Sequence, residues 1–522
     1  MQWSQLELEL FKPEVAEPAV MPVGQAQPCP ELESADRIAT QIRQRLAYAD
    51  ARERQGVVHR AAMASCELTV QTAALRVRCE AGAGQAVLTV VALTAGISPS
   101  LAPGLPLQRS GGSAVVLDPL RGWLSLDFAR IFLGGAATAP INETALPATH
   151  VLLKPLPVFL AEIIRNAFQR QPGARRLGEL FGDAVPGPHE PLVSGLGGRL
   201  RATTARVRRA LPAFALRLGL DRYEAALVTG EMSLVPRSRF FYVRSNTERY
   251  VAGCRRYFDA LGWGEPVTLD VALPFGSQVV PATASVRVVH RQLLERLEAA
   301  LPGRRYSLDA LIEHHNQFVI AAGWFLCFTI GSRELRRLDI GADRCLPGVT
   351  VMEYADKLTG AFRRMQPVLL CRQAQVQVAA VWDHLVHLSA RADKLRVDPA
   401  APWRQHLSEA LAHRAVPLLF LIRRNAALPL GTRHTQLGLD RSVRLAANAG
   451  RHFWQTVLLD RGVPSDAMNV WARHASAGIE PMTSTSVATI DAIRARLGTE
   501  QDKALGDLGI RAFAGLGARS QR

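Results

Sequence analysis

The stretch AANAGRHFWQTVLLDRGVPSDAMNVWARH, residues 446–474, decides how this sequence is interpreted. Apolar residues follow Arg451 at helical spacing, Gly462 marks the end of that helix, and a second helix begins near Ser465. The stretch therefore predicts two short helices in series, with Arg451 early in the first and His474 at the end of the second.

Two upstream segments carry further basic residues at structural breaks. In FTIGSRELRRL (residues 328–338) an apolar helix ends at Gly331, which presents Arg333 just before a new helical turn. In PGVTVMEYADKLTGAFRRMQPVLL (residues 347–370) two stretches of strand character flank a turn. That pattern predicts a β-hairpin with Lys357 at its tip.

The order of these three pieces resembles the catalytic domain of the tyrosine recombinases, the phage-integrase family. In that family an Arg follows a Gly, a hairpin carries a Lys, a helix begins with H-x-x-R-H, and a late His precedes a Tyr nucleophile. The resemblance runs from residue 333 to about residue 486, and the basic segment upstream resembles the family's core-binding arm more loosely. It implies these roles: two phosphate clamps (Arg333 and Arg451), the hairpin lysine (Lys357), the first position of the helix motif (Asn448) and the late histidine (His474).

The chemistry that the resemblance implies needs these residue types. Attack on a DNA phosphate places charge on its non-bridging oxygens, and two guanidinium groups can neutralise that charge in place. A Lys near the leaving oxygen can donate its proton. Asn448 departs from the family's His, because an amide can hydrogen-bond but cannot carry a proton.

The tyrosine nucleophile is missing from the place where the family has it. No Tyr follows Tyr354, which precedes the hairpin lysine. A Ser or Thr hydroxyl needs a nearby general base to attack phosphate, and none is evident beside Thr483 or Ser484. We therefore expect a recombinase-like protein that binds DNA and has lost or delegated strand cleavage. The hydroxyls in the nucleophile window are Ser476, Thr483, Ser484, Thr485, Ser486 and Thr489.

Two alternatives stay open. The chain could be an active site-specific recombinase that uses Ser484 or a neighbouring hydroxyl, or a non-catalytic site-specific DNA-binding regulator. Each basic residue also has an ordinary interpretation: Arg333 on a solvated basic face, Lys357 in an exposed turn, His452 in packing, and His474 at a helix end.

Composition favours a polyanionic partner. Lys and Arg number 62 against 46 Asp and Glu, which gives a net charge of +16 and a pI near 10.2. This excess of positive charge favours nucleic acid as the binding partner, and an anionic membrane surface as the second choice. The high Arg content has a second explanation that involves no partner, because the base composition of the genome also influences how often Arg is encoded. The partners we expect are duplex DNA and companion recombinase subunits, with oligomer formation on DNA.

The sequence also predicts a cytoplasmic protein without a membrane segment, a cofactor or a metal site. Seven Cys form no C-x-x-C pair, which argues against a disulfide framework or a structural zinc site. The amino terminus lacks a signal-peptide pattern. The apolar run from Phe318 to Gly331 is shorter than the roughly 20 residues of a membrane-spanning helix and predicts a buried core helix.

The predicted fold class is mainly α with small β elements (α+β). We expect a mixed α/β N-terminal domain of unknown role (1–185), a helical DNA-binding arm (190–290) and a recombinase-like domain (291–522). Within them, a helix is predicted for residues 34–58, strands for 66–77 and 85–96, a loop for 181–200, and helices for 199–220 and 247–263.

Aromatic and basic residues alternate in SLVPRSRFFYVRSN, residues 233–246. Such a pattern can stack on bases and hold phosphates, whereas a core strand flanked by solvated charges explains the same letters. His314 and His315 are adjacent, and the pair at 384 and 387 lacks a third ligand, so neither pair predicts a zinc site.

Overall fold

The computed structural model describes residues 65–107, 113–133, 144–187, 190–192, 202–235, 238–270, 274–333, 340–355, 365–436, 439, 441–446, 448–473 and 490–517. The helix predicted for residues 34–58 lies outside these ranges, as does much of the loop predicted for residues 181–200. Within them the chain is mainly helical, with small antiparallel sheets of two or three strands. The coarse fold class predicted from the sequence is confirmed.

The N-terminal region combines helices with a three-stranded antiparallel sheet in the order β1-β2-β3. The central strand β2 pairs with both neighbours, so that Ser125 lies between Val116 and Leu153. The elements are α1 (Ser65–Glu80), α2 (Gly84–Ala95), β1 (Val115–Asp118), β2 (Trp123–Asp127), α3 (Phe128–Leu133), β3 (Val151–Pro155), α4 (Val158–Arg170) and α5 (Leu177–Phe181).

The strands predicted for residues 66–77 and 85–96 are wrong, because both segments are helices, α1 and α2. The β-branched residues that suggested strands are buried on nearly every side in α2, where residues 86–95 are all buried. Burial all round removes the polar and apolar alternation that distinguishes a half-buried strand, and tertiary packing outweighs a weak β preference. In α1 the Thr72 hydroxyl donates to the Leu68 carbonyl one turn back (3.0 Å).

The middle region contains both helices predicted for it. Thr203 caps α6 by accepting a hydrogen bond from the backbone of Arg206 (3.2 Å), and Asp221 and Glu224 form a capping box on α7. The elements are α6 (Thr204–Arg217), α7 (Arg222–Thr229), α8 (Arg239–Tyr242), β4 (Arg244–Ser245), α9 (Thr247–Ala260) and β5 (Phe275–Gly276).

Residues 233–246 do not form the core strand that one interpretation predicted. They contain a single 3-10 turn at 232–234, the short helix α8, and the two-residue strand β4. Arg239 is 1% exposed rather than solvated, and Phe240 is buried beside it. Arg237 lies outside the described residues.

The C-terminal region is built around α11, whose apolar second half is buried as predicted. The hairpin predicted near residue 357 forms as β6 and β7, with Val351 opposite Leu369 and Ala355 opposite Met365. The elements are α10 (Thr283–Ala299), α11 (Leu308–Thr329), β6 (Val351–Ala355), β7 (Met365–Leu369), α12 (Arg372–Lys394), α13 (Pro402–Leu411), β8 (Phe420–Arg423), β9 (Ala426–Pro429), α14 (Ala449–Asp460), α15 (Ser465–Trp471) and α16 (Ile490–Leu508).

The middle region packs directly onto α14 and α15. The backbone N–H of Arg244 donates to the Thr456 hydroxyl (3.0 Å), and the Arg249 guanidinium donates to the Leu459 carbonyl (2.5 Å). One continuous hydrophobic core runs from Leu68 to Leu516. The segment predicted as a DNA-binding arm therefore covers one side of the predicted catalytic helices.

Two sequence-based expectations concern thiols and membranes. The six cysteines that the structure describes are all free. In the same parts of the chain, every helix is too short or too polar to cross a membrane.

Candidate functional site

The end of α11 and the end of α15 are joined by one arginine. Arg473 donates from Nη1 to the Ile330 carbonyl and from Nη2 to the Gly331 carbonyl, each at 2.9 Å. Arg333 follows Gly331 by two residues, and His474 follows Arg473 directly. The backbone segments that carry two of the predicted site residues are therefore neighbours in space. Arg333 is half-buried, and His474 lies outside the described residues.

Local geometry explains why α11 stops where it does. Gly331 adopts a left-handed conformation (φ +58°), and the N–H of Ser332 donates to the Cys327 carbonyl (2.9 Å). A Cβ on Gly331 would lie 2.3 Å from the Trp471 ring at the end of α15. The glycine thus meets both a backbone requirement and a close approach between two helices.

The β6-β7 hairpin contacts the same junction. Tyr354 on β6 is fully buried, and the Arg473 guanidinium carbon lies 5.7 Å from the centre of its ring. This cation–π contact holds the hairpin strand against the end of α15. Lys357 lies in the hairpin connection, outside the described residues. The predicted hairpin is confirmed, while the position of its lysine side chain stays a prediction.

Arg451 points into the same part of the protein from α14. Its Nη2 donates to the Ala472 carbonyl (2.8 Å), one residue before Arg473. The ring of Tyr242 from α8 lies on the guanidinium, 5.7 Å from ring centre to Cζ, and the Arg451 side chain is 0% exposed. Arg451 therefore reaches the predicted junction, but a DNA phosphate cannot contact it in this conformation.

His452 is a buried packing residue, as one sequence-based interpretation held. Its Nδ1 lies 2.7 Å from the Ser277 hydroxyl, and its ring packs against Tyr242 at 4.4 Å between centres. Burial, followed by the nearby charge of Arg451, lowers the pKa of His452 to about 3. The ring is neutral at pH 7, so it adds no positive charge to the cluster.

Asn448 has a structural role that its identity explains. It precedes α14 with a φ of +61°, a left-handed conformation that Asn adopts more readily than most residues. Its carbonyl accepts hydrogen bonds from the backbone of Arg451 (2.9 Å) and of His452 (3.2 Å). Asn448, the first position of the predicted helix motif, therefore starts the helix that carries Arg451.

The structure also shows site residues that the sequence did not single out. Tyr242 lies on the predicted Arg451, and Arg473 binds the Gly331 carbonyl two residues before the predicted Arg333, yet neither belongs to the motif of the recombinase family. The nearest signal for Arg473 was its position beside His474. Nothing in the sequence linked Tyr242 to Arg451, because 208 intervening residues separate their positions and only the packing of α8 on α14 joins them.

A second polar cluster of three histidines lies in the core of the C-terminal region. The Leu516 N–H donates to His384 Nδ1 (3.2 Å), so the proton of a neutral His384 is on Nε2, which lies 3.1 Å from His315 Nδ1. His315 in turn donates from Nε2 to the Phe420 carbonyl (3.0 Å). Its neighbour His314 is also fully buried.

This directed relay gives the histidines a structural function. Burial lowers the pKa of His315 to about 3 and that of His384 well below its usual value. No three metal-ligating side chains among the described residues are grouped to hold a metal ion.

Comparison with known proteins adds nothing to these contacts. No protein-family model, curated protein or solved structure matches this chain. The roles of its residues therefore have to be argued from their own geometry. Ser484 and the other hydroxyls between residues 476 and 489 lie outside the described residues.

Proposed function

We propose that this protein binds duplex DNA through a recombinase-like C-terminal domain and acts in DNA recombination or integration. In this proposal the domain spans residues 291–522, and residues 190–290 pack against it as an accessory arm. The chain has no Tyr at the position where the family has its nucleophile, so strand cleavage is lost or delegated to a companion subunit.

The observation that carries the proposal is the bridge from Arg473 to the carbonyls of Ile330 and Gly331, both at 2.9 Å. The segments preceding Arg333 and His474 meet at this bridge, and Arg451 reaches the adjacent carbonyl of Ala472. Four segments of the recombinase-like order thus converge, and Arg473 and Arg451 hold them together through hydrogen bonds to backbone carbonyls. Arginine suits a phosphate because its planar fork can bind two oxygens at once.

The net charge of +16 supports the same proposal. A basic surface attracts DNA at long range and supplies most of the affinity that does not depend on base sequence. Because Arg451 is sealed beneath Tyr242, contact with DNA would begin at Arg333 and Lys357. Arg451 would join only after α8 shifts away from α14.

The first experiment measures binding of the purified protein to the duplex DNA that flanks its own gene. Replacing Arg333 with Ala should weaken binding about tenfold and lower the slope of log affinity against log salt by about one. Arg291 on α10 is the matched control, because its side chain is 68% exposed and its loss should change affinity far less. Equal affinities of R333A, R291A and the unaltered protein would contradict the proposed phosphate contact.

The second experiment separates binding from cleavage. The protein is incubated with the same DNA, denatured with detergent and examined for a covalent protein–DNA adduct. Binding without an adduct supports the proposed loss or delegation of cleavage. An adduct that disappears in Ser484→Ala identifies the active recombinase alternative, and tight binding to a site unrelated to any recombination product identifies the regulator.

A further inference from the structure

A cavity of about 420 Å³ lies between the outer face of the β1-β2-β3 sheet and the first turn of α9. None of the residues that the recombinase resemblance singles out lines it. We propose that this cavity binds a nucleotide, with the base and sugar inside and the phosphate at Arg121. Its volume falls within the roughly 300–1,000 Å³ of typical small-molecule sites.

The turn that carries Arg121 is held rigidly. Asp118 Oδ1 accepts hydrogen bonds from the backbone of Leu120 (3.0 Å) and of Arg121 (2.9 Å). Gly122 has a φ of +73°, and a Cβ there would lie 2.5 Å from the Cβ of Ala161 on α4. The turn is therefore fixed by its own side chain and by its packing on a helix, which positions the residues on either side of Gly122 before any ligand arrives.

Arg121 supplies a positive charge at the edge of the cavity. Its guanidinium carbon lies 5.1 Å from the centre of the Trp123 ring, and the side chain is exposed. To the residues that the structure describes, its guanidinium makes neither an ion pair nor a hydrogen bond. A guanidinium that is stacked on an indole and has no carboxylate partner is well suited to a phosphate.

The interior combines apolar walls with dispersed polar groups. Val116, Ser125 and Leu153 are cross-strand neighbours that form the floor, and Phe275 adds an aromatic wall. Tyr250 also lines the cavity and is 5% exposed. Its buried hydroxyl hydrogen-bonds no nitrogen or oxygen atom of the described residues, and its polar neighbour is the thiol of Cys254.

This distribution of polar groups favours a nucleotide over a lipid. An alkyl chain would leave the Ser125 hydroxyl on the floor of the cavity facing hydrocarbon, at a cost of about 1–3 kcal/mol for an unsatisfied buried group. A base and a sugar carry donors and acceptors around an otherwise flat, apolar body. They can satisfy such groups while filling the space between them.

The nucleotide could come from two sources, a free mononucleotide or an unpaired nucleotide at the end of a DNA strand. The experiment therefore has two arms, with dAMP titrated by calorimetry and a fluorescent single strand of about five dA residues titrated by anisotropy. Arg121→Gln tests the phosphate contact, and Ser125→Phe fills the floor of the cavity. Arg209→Gln is the matched control, because it makes the same charge change at an exposed position of α6.

Arg121→Gln should weaken binding of the probe about tenfold, Ser125→Phe should weaken it further, and Arg209→Gln should leave it unchanged. Binding of both probes supports a free nucleotide as ligand, and binding of the strand alone supports an unpaired nucleotide in DNA. Thermal unfolding checks that each variant is folded, and Leu153→Phe replaces Ser125→Phe if the latter is not. The inference is overturned if neither probe binds, or if filling the cavity does not weaken binding.

Discussion

Arg473 binds the carbonyls of the two residues that follow α11, and its Nη2 donates to the carbonyl of Gly331, 142 residues earlier in the chain, at 2.9 Å. The carbonyls at the end of an α-helix have no partner within the helix, and burial makes an unsatisfied carbonyl costly. Because Arg473 is only 8% exposed, its guanidinium satisfies both carbonyls out of contact with bulk water. The same contact gathers the segments on which the proposed DNA-binding site depends.

Replacing Arg473 with Leu should lower the free energy of unfolding by about 3 kcal/mol or more, because two buried charge-assisted hydrogen bonds are lost at once. Urea unfolding measures the change. Arg209→Leu removes an exposed arginine from α6 and should change stability by less than about 0.5 kcal/mol. Similar losses in the two variants would mean that the bridge contributes no more than a surface residue.

Two glycines with similar backbone angles allow the steric cost at the junction to be isolated. Gly331 has a φ of +58° and Gly462 a φ of +72°, but only a Cβ on Gly331 would strike the Trp471 ring, at 2.3 Å. Gly462→Ala should cost about 1–2 kcal/mol for the left-handed conformation alone. Gly331→Ala should cost this amount plus about 1–3 kcal/mol for overpacking. Equal unfolding free energies for both variants would show that Trp471 at the end of α15 moves away from the added Cβ without a measurable cost in stability.

The histidine relay predicts a loss of stability in acid. Folding lowers the pKa of His315 to about 3 and that of His384 well below the ordinary value of a histidine. As the pH falls below about 6.5, the unfolded chain takes up protons that the folded protein excludes, so stability decreases from about pH 7 towards pH 3. Each histidine contributes up to about 1.4 kcal/mol per pH unit.

Urea unfolding between about pH 7.5 and pH 5 measures this dependence. His384→Gln should reduce the slope, because one of the protons that the folded protein excludes no longer has a site in the unfolded chain. The comparison uses slopes rather than absolute stabilities, since the substitution also removes a hydrogen bond of the relay. If the free energy of unfolding of this variant depends on pH as steeply as that of the unaltered protein, groups other than His384 cause the loss of stability in acid.

From the burial of Lys154 we expect the free energy of unfolding to depend on pH in the alkaline range. Its side chain is fully buried, its Nζ has no hydrogen-bond partner among the described residues, and burial lowers its pKa from 10.5 to about 7. Between about pH 7 and pH 10.4 the unfolded chain holds a proton that the folded protein has released, so stability rises with pH across this window.

Lys154→Met keeps a similar shape without the amine. At pH 7 it should raise the free energy of unfolding by about 1–4 kcal/mol, as replacement of a buried charged group by an apolar one often does. The gain should shrink as the pH rises towards about 10.4, above which the lysine of the unaltered protein is neutral in both states. A destabilised variant at pH 7 would indicate that the amine makes a favourable contact.

We expect the ring of Tyr242 to protect the Arg451 guanidinium from chemical modification. The tyrosine ring lies on a guanidinium that is 0% exposed, so phenylglyoxal should not modify Arg451 in the unaltered protein. Tyr242→Ala should make it reactive, as detected by mass spectrometry of its peptide. Phe241→Ala is the control from the same short helix. Rapid modification of Arg451 without any substitution would show that α8 opens readily.

Much of the C-terminal region was predictable because its signals are local. Helix periodicity, the glycines after α11 and α14, and the alternation of the hairpin placed α11, α14, α15 and the β6-β7 pair close to their observed bounds. The same reasoning failed for α1 and α2, where β-branched residues suggested strands. Local preference is weak compared with the burial that a helix surrounded by protein gains on every side.

The sequence by itself determined the order of the basic residues, the helix that carries Arg451, the helix that precedes Arg473, and the absence of a Tyr beyond Tyr354. Only the tertiary structure decided that Arg473 ties two distant helix ends together and that Tyr242 seals Arg451. Spacing along a helix specifies which side chains share a face, but it contains no information about which distant carbonyl or ring that face will meet. Such contacts depend on how whole elements pack, and that is set by the summed burial of the entire core.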